Sequence, residues 1–279
     1  MSRVAIATTA RYDDPEFDLL AAALGERGVT AVAAAWDDAG VDWSSFDATV
    51  IRSTWDYPKD HERFVRWARS VTRLHNPAGV VEWNADKRYL DDLARAGVPT
   101  IPTTYASGPE GATYPDGDVV VKPTVGGGSR GAKRFSRDER GAADDHVAAL
   151  AALGHEAMVQ PYVASVEADG ETDVIVIDGV VSHAVVKHAP IGLDPDAEPS
   201  GPVAVVPATP TSDQLAVVEA TLRAVPHDGP LLYARVDVVA LDDGPAVIEL
   251  EAIEPFLFLA SSEGAASRLA AAVARRLGA

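Results

Sequence analysis

The first third of the chain alternates short apolar runs with segments whose apolar residues recur at helical spacing. Runs and helical patterns alternate in the order 4–7, 15–27, 29–35, 48–51 and 60–73. This alternation predicts a small parallel sheet with helices on its faces. Because ligands of such sheets bind beyond the carboxyl ends of the strands, we expect a crevice beside residues 8–12 and 52–57.

The pattern changes at residues 108–117, a Gly-, Pro- and Asp-rich stretch that is typical of a linker. A helix is predicted before it, from residue 84 or 85 to residue 95. After it we predict strands 119–122 and 132–135 around a glycine loop, helix 139–153, strand 157–163, strands 174–177 and 180–187, helix 212–224, a hairpin of 232–241 with 246–252, and helix 264–277. Residues 188–210 are too many for an idle connection and predict a mobile loop beside the substrate.

The elements divide the chain into four parts and predict an α/β protein with α+β lobes. An N-terminal βαβ domain occupies residues 1–83, and a connecting helix and linker occupy 84–116. A small lobe with the glycine loop spans 117–163, and a larger lobe spans 164–279.

Charge and composition exclude several functional classes. The 279 residues contain 24 Lys and Arg against 42 Asp and Glu, a formal charge of -18, which disfavours binding to nucleic acid or anionic membrane. The absence of cysteine excludes disulfides, thiolate nucleophiles and Cys-ligated zinc. The amino terminus enters a strand directly and no stretch of about 18 apolar residues occurs, so we expect a cytoplasmic protein.

The glycine loop, residues 126–131, fits more than one sequence pattern. It matches both G-x-G-x-x-G and G-x-S-x-G, but those motifs require a helix to begin at the loop. Here a short strand is predicted to follow, which favours a flap whose backbone N–H groups cover phosphates. A plain hairpin turn is the alternative. Lys122 ends the apolar strand before the loop and is placed to reach the same phosphates, although a solvated surface lysine remains open.

Three carboxylates mark the predicted terminal hairpin. Glu249 and Glu251 are two residues apart on one strand and therefore share a face, with Asp237 on the antiparallel neighbour. Such carboxylates repel one another unless a cation neutralises them, and hard oxygen ligands suit Mg²⁺. The alternative is a solvated hairpin face in which Arg235 pairs with an acid.

The order of these residues resembles that of the ATP-grasp ligases. The resemblance rests on Lys87, Lys122 before the glycine flap, residues 158–163 leading to Glu171, Arg235 with Asp237, and Glu249 with Glu251. Segments 52–57, 83–90, 182–185 and 253–258 are similar to the glutathione-synthetase-like subgroup that contains D-cycloserine ligase. The resemblance implies an ATP-grasp fold in which residues 1–83 form a pre-ATP-grasp domain.

The resemblance also implies roles for individual residues. ATP phosphates would contact Lys87, Lys122 and the flap residues Gly127, Gly128 and Ser129. The adenine would lie at the linker, beside Gln160, Tyr162 and Val163, and the ribose hydroxyls would bind Glu171. The transferred phosphoryl would contact Lys187 and Arg235, and two Mg²⁺ ions would be held by Asp237, Glu249 and Glu251. The family pattern has Asn at the position of Glu251, which leaves the metal geometry open.

The resemblance implies an ATP-dependent ligase that phosphorylates a small amino-acid-like carboxylate and forms a C–N bond, with cyclisation to D-cycloserine or a related antibiotic as one form of it. Candidate substrate contacts at the predicted strand ends are Arg11, Arg52, Thr54, Trp55 and Tyr57. A regulatory or scaffold protein that binds ATP without turnover is the alternative, and a serine hydrolase using Ser129 is a third. A homodimer is considered among the oligomeric states, which the sequence does not fix.

Overall fold

A computed structural model describes residues 2–188 and 204–278. The N-terminal strands form a parallel four-stranded sheet in the order β2-β1-β3-β4. Its elements are β1 (Ser2–Thr8), α1 (Phe17–Gly25), β2 (Val29–Ala35), β3 (Ala48–Ile51), α2 (His61–Ser70) and β4 (Leu74–His75). All four β3 residues are buried, because helices or other lobes cover both faces of a parallel sheet.

Two short helices, not one, follow this sheet. Helix α3 (Ala78–Asn84) ends where a helix was predicted to begin, and α4 (Tyr89–Arg95) follows after a turn. The Asn84 side chain, at the end of α3, bonds to the backbone of Leu250 and Ala252 at the end of the last sheet strand. In the turn, the Lys87 N–H donates to the Thr124 carbonyl at 2.9 Å. These tertiary hydrogen bonds favour the break over a continuous helix.

The small lobe is a four-stranded antiparallel sheet covered by one helix. It consists of β5 (Thr104–Ala106), β6 (Val119–Pro123), β7 (Lys133–Phe135), α5 (Arg140–Ala152) and β8 (Ala157–Pro161). The strand order is β5-β8-β6-β7. Strand β5 comes from the segment predicted as a connection, where its three residues are too few to give a periodic signal.

The larger lobe has a five-stranded antiparallel sheet in the order β11-β10-β9-β12-β13. Its elements are α6 (Ala164–Ala168), β9 (Glu171–Ile177), β10 (Val180–Lys187), β11 (Val205–Ala208), α7 (Ser212–Ala224), β12 (Tyr233–Leu241), β13 (Gly244–Glu251) and α8 (Ala265–Arg276). The predicted loop 188–210 therefore contains a strand near its end. The predicted mobility falls mostly on residues that lie outside the described ones. No helix within 2–188 and 204–278 is both long and apolar enough to cross a bilayer.

Two apolar cores sandwich the larger sheet. One core joins Ile175 and Tyr233 to α8 and to the N-terminal strands, through residues such as Val4 and Val50. The other joins the opposite sheet face to α4 and α7. Because the N-terminal domain packs directly on the larger lobe, the ends of β1 and β3 meet the segment that follows β13.

Candidate active site

Three carboxylates of the terminal hairpin lie together at the end of the larger sheet. Asp237 on β12 is opposite Glu249 on β13, and Glu251 is opposite Arg235. One oxygen atom of each carboxylate lies within 4.8 Å of those of the other two. Hard oxygen donors at this density suit Mg²⁺, which accepts a few carboxylates and completes its shell with water and phosphate oxygens. This carboxylate group is the candidate metal site.

Arg235 is buried among these carboxylates. Its Nε donates to Asp237 Oδ1 at 2.8 Å, and its Nη2 donates to Glu251 Oε1 at 2.6 Å. The acid pairing foreseen for a solvated hairpin is therefore present, but Arg235 is only 5% exposed and Asp237 only 1% exposed. Buried ion pairs contribute little net stability, because removing the charges from water offsets much of their attraction. The arrangement therefore points to function.

A second charged cluster surrounds Lys187 on β10. Its Nζ lies 3.2 Å from Glu171 Oε2, 3.0 Å from Asp173 Oδ2 and 3.4 Å from Asp237 Oδ2. Asp173 was missed in the sequence, although its spacing of two from Glu171 on one strand is the same signal that singled out the two glutamates on β13. Glu171, assigned to the ribose hydroxyls, is held by Lys187 in this structure.

Burial and neighbouring charges shift the protonation of these acids in opposite directions. Burial, with the charge of Asp237 adding to it, raises the pKa of Asp173 to about 8. Burial likewise raises the pKa of Glu251 to about 7. At Asp237 burial acts in the same direction, but Arg235 and Lys187 outweigh it and lower the pKa to about 2. Burial thus outweighs the neighbouring cations at Asp173 and Glu251, whereas the two cations outweigh burial at Asp237.

Two further lysines face the carboxylates from the glycine-flap side. The Lys87 Nζ lies 3.2 Å from Glu249 Oε1 and donates to the Gly126 carbonyl. Burial lowers the pKa of Lys122, against the opposing attraction of Glu249. Lys87, Gly126, Gly127 and Glu249 line one small pocket. Two cationic side chains therefore flank the candidate metal site.

The glycine flap joins two adjacent antiparallel strands, β6 and β7. Because the chain continues from the loop as a strand, the dinucleotide-binding and nucleophile-elbow motifs are excluded. Gly128 and Ser129 have φ angles of +64° and +58°, so the loop folds back sharply. The Arg130 Nη2 donates to the Trp55 carbonyl at 2.9 Å. The flap therefore covers the site and touches the N-terminal domain.

Comparison with known proteins identifies the family. A family model for the N-terminal domain of D-cycloserine synthetase DcsG matches residues 4–76. The cycloserine biosynthesis protein DcsG of Streptomyces lavendulae is 43% identical over 270 residues, which cover 90% of each chain. The chain belongs to the DcsG family.

Solved structures confirm the predicted fold. The crystal structure of D-cycloserine synthetase DcsG matches with a TM-score of 0.87 and 38% identity, covering 99% of this chain and 100% of that one. A RimK domain ATP-grasp protein from Sphaerobacter thermophilus matches with a TM-score of 0.69 and 18% identity over both whole chains. D-alanine–D-alanine ligase from Bacillus anthracis matches with a TM-score of 0.67 and 16% identity, covering 99% and 97%. The two remote matches share the ATP-grasp fold.

The segment that the resemblance assigns to adenine lies at the end of β8 in this DcsG-family chain. The Gln160 Nε2 donates to Thr103 Oγ1 at 2.9 Å. The Tyr162 N–H donates to the Asp118 carbonyl at 2.8 Å, so that amide is used within the small lobe. Val163 immediately precedes α6. Tyr162 is therefore not a free backbone donor for an adenine edge, and adenine contacts from Gln160 and Val163 stay a prediction.

Arg52 joins two domains and does not face the crevice. It is 2% exposed, its Nη2 donates to Glu16 Oε2 at 2.7 Å, and its Nη1 donates to the Pro255 carbonyl at 3.0 Å. Glu16 also accepts the N–H groups of Leu257 and Leu259, at 3.0 and 2.6 Å. We therefore correct the predicted substrate role of Arg52, because a buried carboxylate of the domain junction already occupies its guanidinium.

The other predicted substrate residues differ in how accessible their side chains are. The Arg11 side chain is 60% exposed, with Nε 3.3 Å from Asp56 Oδ2. Trp55 donates from Nε1 to the Glu254 carbonyl at 3.1 Å, and Tyr57 lines the pocket. Thr54 is fully enclosed, and its Oγ1 has no hydrogen-bond partner among the described residues. Tyr57 is thus the predicted substrate residue that lines the pocket, and substrate contacts from Arg11 and Trp55 stay a prediction.

Proposed function

We propose that this protein is an ATP- and Mg²⁺-dependent ligase that activates the carboxylate of a small amino-acid-like substrate and closes a C–N bond, to give D-cycloserine or a related product. The observation that carries the proposal is the carboxylate group of the buried Asp237 and the half-buried Glu249 and Glu251, flanked by cations and covered by the glycine flap. Membership of the DcsG family supports the same reaction.

The residues present fit Mg²⁺ and a nucleotide. The oxygens of the three carboxylates are close enough to share an ion. When bound, ATP supplies a phosphoryl group that makes the carboxylate electrophilic, and Mg²⁺ offsets the charge of the phosphates. We place the phosphates against Lys87 and Lys122.

In this mechanism the chain's own residues position the transferred group and neutralise its charge. Arg235 and Lys187, buried at the same sheet end, hold negative charge that develops on the transferred group. The flap excludes water from the activated carboxylate, which would otherwise be hydrolysed. No protein nucleophile is required, since the incoming amine would attack the activated carbon directly and displace phosphate.

Several finer points belong to the same proposal. We propose two Mg²⁺ ions at the Asp237 group, the domain limits at residues 83, 116 and 163, a cytoplasmic enzyme and a homodimer. The net charge of -18 supports the expectation that nucleic acid and anionic membranes are not partners. ATP binding without turnover is the alternative, and Glu251 in place of the family's Asn is the residue that favours it.

An ADP-release assay separates the two functions. Purified protein with Mg²⁺ and ATP is given a panel of β-substituted D- and L-amino acids, and products are identified by mass spectrometry. We expect ADP release that depends on one substrate class and yields a cyclic amide-type product. Lys87→Met serves as the loss-of-function control, with retained thermal unfolding as its folding check. Nucleotide binding without substrate-stimulated ADP release would establish the regulatory alternative.

A further inference from the structure

A carboxylate outside the metal group lies in the same pocket. Glu254 follows β13, three residues after Glu251, and lines the pocket together with Tyr57, Lys87 and Gly127. Its Oε1 is 3.9 Å from the point where a Cβ on Gly127 would stand. Glu254 therefore lies directly beneath the glycine flap, on the side of the pocket that faces the N-terminal domain.

Two buried acids on this side of the crevice already have partners, whereas Glu254 is half-buried. Glu16 is paired with Arg52 and accepts two backbone N–H groups. Asp56 accepts from Thr9 Oγ1 at 2.6 Å and from Trp36 Nε1 at 2.9 Å. By contrast, no Lys, Arg or His within residues 2–188 and 204–278 lies within ion-pairing distance of the Glu254 carboxylate. Glu254 is thus a half-buried acid of the pocket that forms no ion pair with the described residues.

The backbone around Glu254 is fixed from the N-terminal domain. The Glu254 carbonyl accepts the Trp55 indole N–H at 3.1 Å, and the next carbonyl, of Pro255, accepts from Arg52. The Trp55 ring stacks on Phe256 with centroids 5.0 Å apart and planes 15° from parallel. A backbone held in this way fixes the position from which the Glu254 side chain enters the pocket, which lowers the entropy lost on binding.

We propose that Glu254 binds the protonated amino group of the amino-acid substrate and of the cyclic product, an assignment that rests on the proposed function. An amino acid carries its ammonium one carbon from the carboxylate to be activated. With that carboxylate at Arg235 and the metal group, the ammonium needs an anionic partner nearby that neither binds metal nor pairs with arginine. Burial, with Glu251 adding to it, also raises the pKa of Glu254 to about 8, and an ammonium would relieve that penalty.

A pair of ligands that differ only in this amine tests the assignment. D-cycloserine and isoxazolidin-3-one, the same ring without the amino group, are titrated by calorimetry into protein saturated with Mg²⁺ and ADP. We expect wild-type protein to prefer D-cycloserine by about tenfold or more, as for one charge-assisted hydrogen bond. Glu254→Gln keeps the side-chain size and should abolish this preference, leaving isoxazolidin-3-one and ADP affinities unchanged. Glu110→Gln makes the same change at an exposed site and should behave as wild type.

The possible failures have distinct meanings. A Glu254→Gln variant that keeps the preference overturns the assignment alone, and so does one that changes the Mg²⁺ requirement for ADP binding while ligand preference persists. If wild-type protein binds neither ring compound yet releases ADP with another substrate class, the proposed product and the Glu254 assignment both fall. Unchanged ADP affinity and thermal unfolding of the variant show that loss of preference does not reflect misfolding.

Discussion

Removal of one amide side chain, Asn84→Ala, should both destabilise the protein and weaken its metal site. Strand β13 lies at the edge of its sheet, and its outer backbone groups bond to side chains of the connecting segment. The Asn84 Nδ2 donates to the Leu250 carbonyl at 2.8 Å, and the Ala252 N–H donates to Asn84 Oδ1 at 2.7 Å. The Leu250 N–H donates in the same way to the Tyr89 hydroxyl at 2.8 Å.

The size of the effect follows from the burial of these groups. Leu250 is 1% exposed and Ala252 is 0% exposed, so Asn84→Ala leaves two buried backbone groups unpaired. Each costs about 1–3 kcal/mol. Because Asn84 borders the pocket, water can recover part of the loss, and we expect a decrease in the free energy of unfolding of about 2–4 kcal/mol. Tyr89→Phe leaves one group unpaired and should cost about half as much.

Chemical denaturation followed by circular dichroism measures this loss. Glu82→Ala, on the exposed side of the same helix, is the matched control and should cost under about 1 kcal/mol, because its ion pair with Arg69 is solvated. Strand β13 also carries two of the candidate metal ligands, so the Mg²⁺ concentration needed for ADP binding should rise in Asn84→Ala. A loss no greater than that of the control would refute the reasoning that these side chains hold the strand edge.

Three further predictions follow from the site and its surroundings. Glu249→Gln combined with Glu251→Gln should weaken Mg²⁺-dependent ADP binding at least about tenfold, measured by calorimetry; unchanged affinity would remove them from the metal site. Arg130→Ala, which removes the hydrogen bond between the flap and the N-terminal domain, should raise ADP release without ligated product, whereas Arg137→Ala at an exposed site should not. An equal ratio of ADP to product in both variants would show that this hydrogen bond does not keep the flap closed. Burial lowers the pKa of His183 in the folded protein. In denaturation series at several pH values, its contribution to the free energy of unfolding should be complete above about pH 6.5 and decline below that pH, because the unfolded chain takes up the proton first. If His183→Gln has the same dependence of stability on pH as wild type, this reasoning is wrong.

The sequence by itself determined the elements whose signal is local. Strands β2 and β3 and the helix α7 have the bounds that apolar runs and helical spacing predict. The carboxylates two apart on β13 could be placed on one face from strand geometry alone. The order of lysines, flap and carboxylates was enough to indicate the ATP-grasp family, because each motif depends on nearby residues whose spacing the backbone fixes.

Only the tertiary structure decided which charged groups meet. The role of Arg52 depended on Glu16, which folding of the N-terminal domain brings to it, and on the Pro255 carbonyl, which reaches it only when that domain packs on the larger lobe. The break between α3 and α4 depended on backbone groups of β13, and Asp173 gained its meaning from Lys187 on the next strand. In each case a partner brought close by packing outweighed local preference, because leaving a buried polar group unpaired costs more than the preference itself.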